Sequence, residues 1–228
     1  MEKTTVFNLI ILDESGSMDS ARKATISGCN EVINAAKSMA QEQAGKERYL
    51  MSIYAFQGNS KVPSRYIIKN QPVEKISHIN MKDYRPWGST PLYDAIGTTL
   101  TELENIAATH ENALGIVTII TDGYENDSRH FTGLQIRNLI SRLKELGWSF
   151  NFIGANVDVE VMGHNLNIDS RLSYDSTEDG TEHMFSKFKN SWNSFNKQRI
   201  EEEAGITDRD ELLRRRKKLA KGFLDDIS

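Results

Sequence analysis

The chain has 228 residues, 38% hydrophobic and 26% charged, with 28 Lys and Arg against 32 Asp and Glu for a formal charge of -4. That length suits one α/β domain with at most a small extra module, and the acidic balance removes any global electrostatic case for nucleic acid. The single cysteine, Cys29, excludes an intrachain disulfide and a multi-cysteine zinc site, four prolines and fifteen glycines exclude collagen-like or Pro-rich disorder, and no apolar run reaches the roughly 18 residues of a membrane span.

Residues 6–12 (VFNLIIL) form an apolar run rich in β-branched residues, the pattern of a strand buried on both faces of a parallel sheet. The strand comes too early for a secretory signal, and with one cysteine a reducing, cytoplasmic setting is expected. Asp13-Glu14-Ser15-Gly16-Ser17-Met18 follows at once. Residues 20–43 then carry Ala24, Ile26, Val32, Ile33, Ala36 and Met39 on a helical stripe. Residues 48–56 and 62–69 read as strands separated by a link too short for a parallel crossover, so they should form an antiparallel hairpin with Gly58 and Asn59 in its turn. Tyr84 to Asp94 reads YRPWGSTPLYD, and Pro91 fits the first turn of a helix over 92–108. Residues 115–121 (GIVTIIT) form a second buried strand, ending in Asp122-Gly123. A helix over 131–146 should stop at Gly147, followed by a strand at 148–155 and a short one at 171–174.

Strands alternating with helices imply βαβ crossovers. The expected architecture is α/β, a doubly wound, mostly parallel sheet with one antiparallel edge hairpin over residues 4–180. Residues 181–228 form a C-terminal helical extension. In it, 181–203 places Phe185, Phe188, Trp192 and Phe195 on one helical side, which should dock on the domain. Gly205 breaks that helix, and Thr207 with Asp210 resembles a capping box. The sparser pattern beyond, around the basic run Arg214 to Lys218, predicts a mobile helix or partner-binding arm, and the basic run reads first as a solvated face.

Asp13, Ser15 and Ser17 alternate along one turn and can converge on a point. All are hard oxygen donors suited to Mg2+, although Asp and Ser at a strand end also serve simply as helix caps. In a doubly wound sheet, ligands bind at the carboxyl edge where strand order reverses. If Asp13 and Asp122 follow the strands flanking that reversal, their carboxylates share one crevice, with Thr90 supplying a hydroxyl from a third loop.

Asp-x-Ser-x-Ser after the first strand, a Thr in a central loop and an Asp after a later strand resemble the von Willebrand factor type A (VWA) family with a metal-ion-dependent adhesion site (MIDAS). The resemblance spans about residues 4–175. It extends to Met18, Gly88-Ser89-Thr90-Pro91-Leu92 and Thr121-Asp122-Gly123, most like the intracellular and bacterial branch. It implies a metal site of Asp13, Ser15, Ser17, Thr90 and Asp122, holding Mg2+ with Mn2+ or Ca2+ as alternatives. The two serines would bind directly, with one or more of the other three, and the rest through water. It also implies a non-enzymatic, protein-binding module in which an Asp or Glu of a partner fills the exchangeable position. Related stand-alone domains act with MoxR-type AAA+ ATPases or in tellurium-resistance-type and stress-response systems.

Other chemistries fare worse on the residues. No Gly-x-Ser-x-Gly and no Gly-x-x-x-x-Gly-Lys occurs, and His78, His110, His130, His164 and His183 show no ligand spacing. The rival reading is an Mg2+-dependent phosphohydrolase of haloacid-dehalogenase type, which needs a second Asp where Ser15 stands. Glu125-Asn126-Asp127 reads either as a specificity rim or as a solvated turn with a helix cap at Asp127 or Ser128.

Overall fold

The computed structural model describes residues 3–58 and 61–225. Strands β1 (Thr4–Asp13), β2 (Glu47–Gly58), β3 (Pro63–Pro72), β4 (Ala113–Thr121), β5 (Ser149–Gly154) and β6 (Ser170–Ser173) form one sheet in the order β3-β2-β1-β4-β5-β6. Every neighbouring pair is parallel except β2 and β3, the antiparallel edge hairpin expected from the short link. Asn59, expected in its turn, lies outside the described residues. From β1 the chain moves outward to β2 and β3, then returns to β4 on the other side of β1. The strand order therefore reverses between β1 and β4.

Among the described residues, six α-helices cover the sheet: α1 (Arg22–Glu42), after a 3-10 turn at Gly16–Ala21, then α2 (Leu92–Ala107), α3 (Gly133–Glu145), α4 (Val159–Leu166), α5 (Glu178–Glu203) and α6 (Arg209–Ala220). Alternate residues of β1 feed two apolar layers. Val6, Ile10 and Leu12 pack in the cluster that holds α1 and α5, while Phe7, Leu9 and Ile11 join the cluster of α2, α3 and α4. Both faces are covered, which is why the β1 sequence is apolar without alternation. Its one polar interruption is satisfied: the Asn8 amide donates to Leu50 O at 3.1 Å, and its carbonyl accepts from Trp192 Nε1 at 2.9 Å. No helix among the described residues is long and apolar enough to cross a membrane.

α5 starts earlier than the aromatic spacing suggests, capped by Thr177, whose side chain accepts from Gly180 N at 3.0 Å. Phe185, Phe188, Trp192 and Phe195 are all buried in the α1 layer, as their spacing predicts. Two features depart from expectation. α4 is not foreshadowed by any periodicity: Asp158 caps it through Val161 N, Asn167 ends it at φ 60°, and its eight residues carry too few apolar positions to reveal a period. The segment after Gly205, expected to be a mobile arm, is docked instead. Asp208, not Thr207, caps α6, accepting from Glu211 N at 2.7 Å. Beyond α6, Phe223 and Leu224 are buried, and the Phe223 ring lies 4.6 Å from that of Phe195. Arg216 from the basic run is itself buried, bonded through Nε and Nη2 to Glu203 at 2.9 and 2.8 Å. Sequence distance hid this docking, because Phe223 completes a cluster begun on α5 rather than a stripe of its own.

Candidate metal centre

β1 and β4 end side by side, with Leu12 opposite Ile120 in a parallel register. That places Asp13 level with Thr121, whose hydroxyl donates to Asp13 Oδ2 at 2.6 Å, and puts Asp122 one residue further out. The Asp13 carboxylate is fully buried and its other oxygen accepts from Ser15 N at 2.7 Å. This short bond curls the loop back, so that Ser15 Oγ and Ser17 Oγ stand 3.2 Å apart. Ser17 Oγ donates to Asp122 Oδ1 at 2.6 Å, linking the loops after β1 and β4 directly. Ser17 is exposed, so the cluster opens to solvent there.

The third loop is zipped to the first. Tyr84 Oη donates to Asp13 O at 2.6 Å, Arg85 N to the Glu14 carboxylate, Trp87 N to Glu14 O at 2.8 Å, and Gly16 N to Gly88 O at 3.1 Å. Gly88 has φ 82°, a region that favours glycine, and it turns the strip toward Thr90. Thr90 is buried against the β4 loop: a Cβ added to Gly123 would lie 3.5 Å from Thr90 Oγ1. The five expected residues therefore come from three loops that meet at one edge.

Glu125-Asn126-Asp127 is not the free turn capping the next helix that was one of its two expected arrangements. All three bind neighbouring loops. Asn126 exchanges bonds with Thr90, receiving from Thr90 N at 2.8 Å and donating through its own N to Thr90 O at 3.2 Å. Glu125 accepts from Tyr93 N at 2.9 Å, placing a carboxylate at the positive end of α2. Asp127 accepts from Ser89 Oγ at 2.6 Å. The cap of α3 is Thr132, in a capping box with Gln135.

Four supporting residues were not singled out by sequence. Thr121 orients Asp13, and Ser176, from the loop after β6, donates to Asp122 Oδ2 at 3.1 Å. Tyr84 is fully buried with its hydroxyl on the β1 loop. Glu14, also fully buried, accepts from Gln57 Nε2 and Arg65 Nη1 at 2.6 Å each and from Arg65 Nη2 at 3.0 Å. The bidentate Arg65 fork balances that charge, which leaves Asp13 and Asp122 as the acidic members of the cluster. Thr121 and Glu14 each adjoin a predicted site residue along the chain, whereas Tyr84 and Ser176 act from segments distant from the residues they bond.

Burial pushes the Asp13 carboxyl up to about 6, aided by the nearby Asp122 charge and opposed by hydrogen bonds from Thr121 and Ser15. The donor set suits a hard divalent ion. It consists of carboxylate and hydroxyl oxygens, and no group of three or more His, Cys, Asp or Glu that could hold a metal occurs among the described residues. Ser15 Oγ, Ser17 Oγ and Asp122 Oδ1 are spaced at 3.2 and 2.6 Å. Neighbouring ligands of an octahedral Mg2+ stand about 3 Å apart, so these oxygens fit such an ion with small adjustments. For a hydrolase the same geometry is poor. Neither serine is hydrogen-bonded to a histidine among the described residues, and the second acid of a dehalogenase-type site is absent at Ser15.

A family model for the von Willebrand factor type A domain matches residues 9–197. No curated protein is similar in sequence. Among solved structures, the pilus adhesin SpaC from Lactobacillus rhamnosus GG, in its open conformation, is similar with TM-score 0.58 and 12% identity, over 83% of this chain and 30% of that one. The SpRpn10 VWA domain is similar with TM-score 0.54 and 12% identity, over 79% of this chain and 93% of that one. Proximal thread matrix protein 1 from the mussel byssus, with its MIDAS motif occupied by zinc, is similar with TM-score 0.50 and 14% identity, over 81% of this chain and 44% of that one. The chain thus spans less than half of the mussel protein and less than a third of the adhesin. At these identities the likeness speaks to the fold, and the fold agrees with the family match. On both grounds, the chain belongs to the von Willebrand factor type A domain family.

Proposed function

We propose that this protein is a metal-dependent protein-binding module. Asp13, Ser15, Ser17, Thr90 and Asp122 would hold Mg2+, or Mn2+ or Ca2+ in its place, and the ligand would be an Asp or Glu side chain of a partner protein. The observation that carries the reading is the direct link from Ser17 to Asp122, with Ser15 beside it, at an edge open to solvent. The fold relatives support the metal component: the mussel protein carries zinc in its MIDAS motif.

The chemistry of capture follows from charge. Two carboxylates beside a divalent ion leave no surplus negative charge, so a further carboxylate is accepted without large repulsion. When bound, the ion supplies an electropositive, exchangeable coordination position. The chain's residues do the rest: Thr121 and Ser15 N hold the Asp13 carboxylate, while Glu14 and Arg65 hold the first loop against the third.

Calorimetric titration with Mg2+ and Mn2+ tests the assignment. Asp13→Ala should abolish binding with the fold retained. Thr121→Val should weaken it roughly 10–100-fold, as loss of a ligand-orienting bond commonly does. An Asp13→Ala protein that binds as tightly as wild type would overturn the site. A chromogenic phosphate ester should not be turned over.

A further inference from the structure

Large apolar side chains left in water are informative when they gather in one place. Among the described residues they are Met81, Trp87, Tyr124, Leu134, Leu146 and Val161. Trp87, 67% exposed, sits on the strip zipped to the β1 loop, and Tyr124, 51% exposed, follows β4 two residues after Asp122. Leu134 and Val161 lie in the first turns of α3 and α4, helices that begin at the same carboxyl edge of the sheet. Leu146 sits at the far end of α3. Four of these six side chains therefore belong to segments at the edge that carries the candidate metal centre.

This exposure is built in. Trp87 N is tied to Glu14 O, and its neighbours Arg85 and Gly88 are tied to Glu14 and Gly16. The backbone beneath the indole is thus fixed to the loop bearing Ser15 and Ser17. Tyr124 is pinned as well, its hydroxyl accepting from Asp158 N at 2.9 Å. Trp148 and Trp192, by contrast, are buried. Trp87 is therefore carried by a backbone tied to the β1 loop, and Tyr124, two residues past Asp122, reaches to the start of α4.

We infer that this rim selects its partner by apolar contact: the occupant is an extended segment of another protein in which the metal-seeking Asp or Glu has a branched or aromatic neighbour that packs on Trp87. The inference rests on the metal-and-acid reading above. A tryptophan on a fixed backbone beside a charged anchor is the composition of binding hot spots. The acid supplies metal dependence, and the indole supplies discrimination among acidic segments.

The test uses the full chain in millimolar Mg2+, with EDTA replacing the ion in a parallel arm. Blocked pentapeptides Gly-Leu-Asp-Leu-Gly, Gly-Gly-Asp-Gly-Gly and Gly-Leu-Asn-Leu-Gly are the probes, and binding is followed by NMR. The Leu-flanked Asp peptide should bind at least about tenfold more tightly than the Gly-flanked one. Trp87→Ala should erase that difference while Mn2+ affinity, measured by calorimetry, stays at the wild-type value. Equal binding of the two Asp peptides, or an unchanged preference in Trp87→Ala, overturns the inference. Binding that persists in EDTA, or equal binding of the Asn peptide, overturns instead the reading on which it rests. Absence of binding by every peptide overturns both. Mg2+-dependent self-association that Trp87→Ala abolishes would make a second copy the occupant and overturn the choice of a different protein.

Discussion

Asp13 is held in a condition that disfavours its own charge. Its carboxyl lies near 6 because it is buried and faces Asp122, despite bonds from Thr121 and Ser15. An unfolded aspartate titrates near about 3.9. Between those values the folded, metal-free protein binds more protons than the unfolded chain, so its stability falls as pH rises through that window. Asp13→Asn should therefore stabilise EDTA-treated protein at pH 7, on the order of 2 kcal/mol, with the gain fading toward pH 4. Urea unfolding across pH 4–8 measures this. An Asn variant no more stable than wild type at pH 7 would show that the bonds from Thr121 and Ser15 outweigh burial. A site residue whose removal stabilises the apo fold is what a binding centre, rather than a structural one, should show.

Among the elements, a close helix contact sets how the α1 layer is built. A Cβ at Gly28 of α1 would fall 2.1 Å from a ring carbon of Phe185 on α5. In an exposed helix, Gly→Ala would add about 1 kcal/mol of stability. Here overpacking opposes that gain, typically by about 1–3 kcal/mol, because α1 and α5 must move apart or the ring must leave its place. Gly28→Ala should therefore lower the melting temperature, and Phe185→Leu in that background should recover part of the loss. A raised melting temperature in Gly28→Ala would mean that the ring yields freely. Simple rules also account for the hairpin and for α5. β2 and β3 are antiparallel because their link is short, and the four aromatics of α5 share one side because they recur at spacings of three and four.

Across the molecule, the chain's end belongs to its core. Phe223 and Leu224 fill the layer behind α5, and Leu224 N donates to Ser170 Oγ on β6 at 3.1 Å. Arg216 and Arg199 converge on Glu203, and Arg199 also forks onto Glu47 of β2 at 2.7 and 2.8 Å. Deleting residues 206–228 removes two large buried apolar side chains, Phe223 and Leu224, worth roughly 1.5–3 kcal/mol each, with the smaller Ala220 and one arm of this ion network. The melting temperature should drop on the order of 10 °C. An unchanged melting curve would restore the picture of a detached arm.

The parallel core of the sheet, the antiparallel edge pair, the main helices and the five candidate ligands are all legible along the chain. Each rests on a local signal: an apolar run buried on both faces, a link too short to cross over, a helical stripe, or carboxylates and hydroxyls clustered at strand ends. The convergence of the three loops has no such signal, since the registers of β1 with β4 and of 13–16 with 84–88 join segments some 70 to 110 residues apart. The same holds for the buried Glu14–Arg65 pair, the bonding of Glu125 to Asp127 onto the strip from Ser89 to Tyr93, the docking of α6 and the placing of Trp87 at the rim. Hydrogen bonds and packing between distant segments have no period along the chain. Such contacts become readable only once the sheet has brought the segments together.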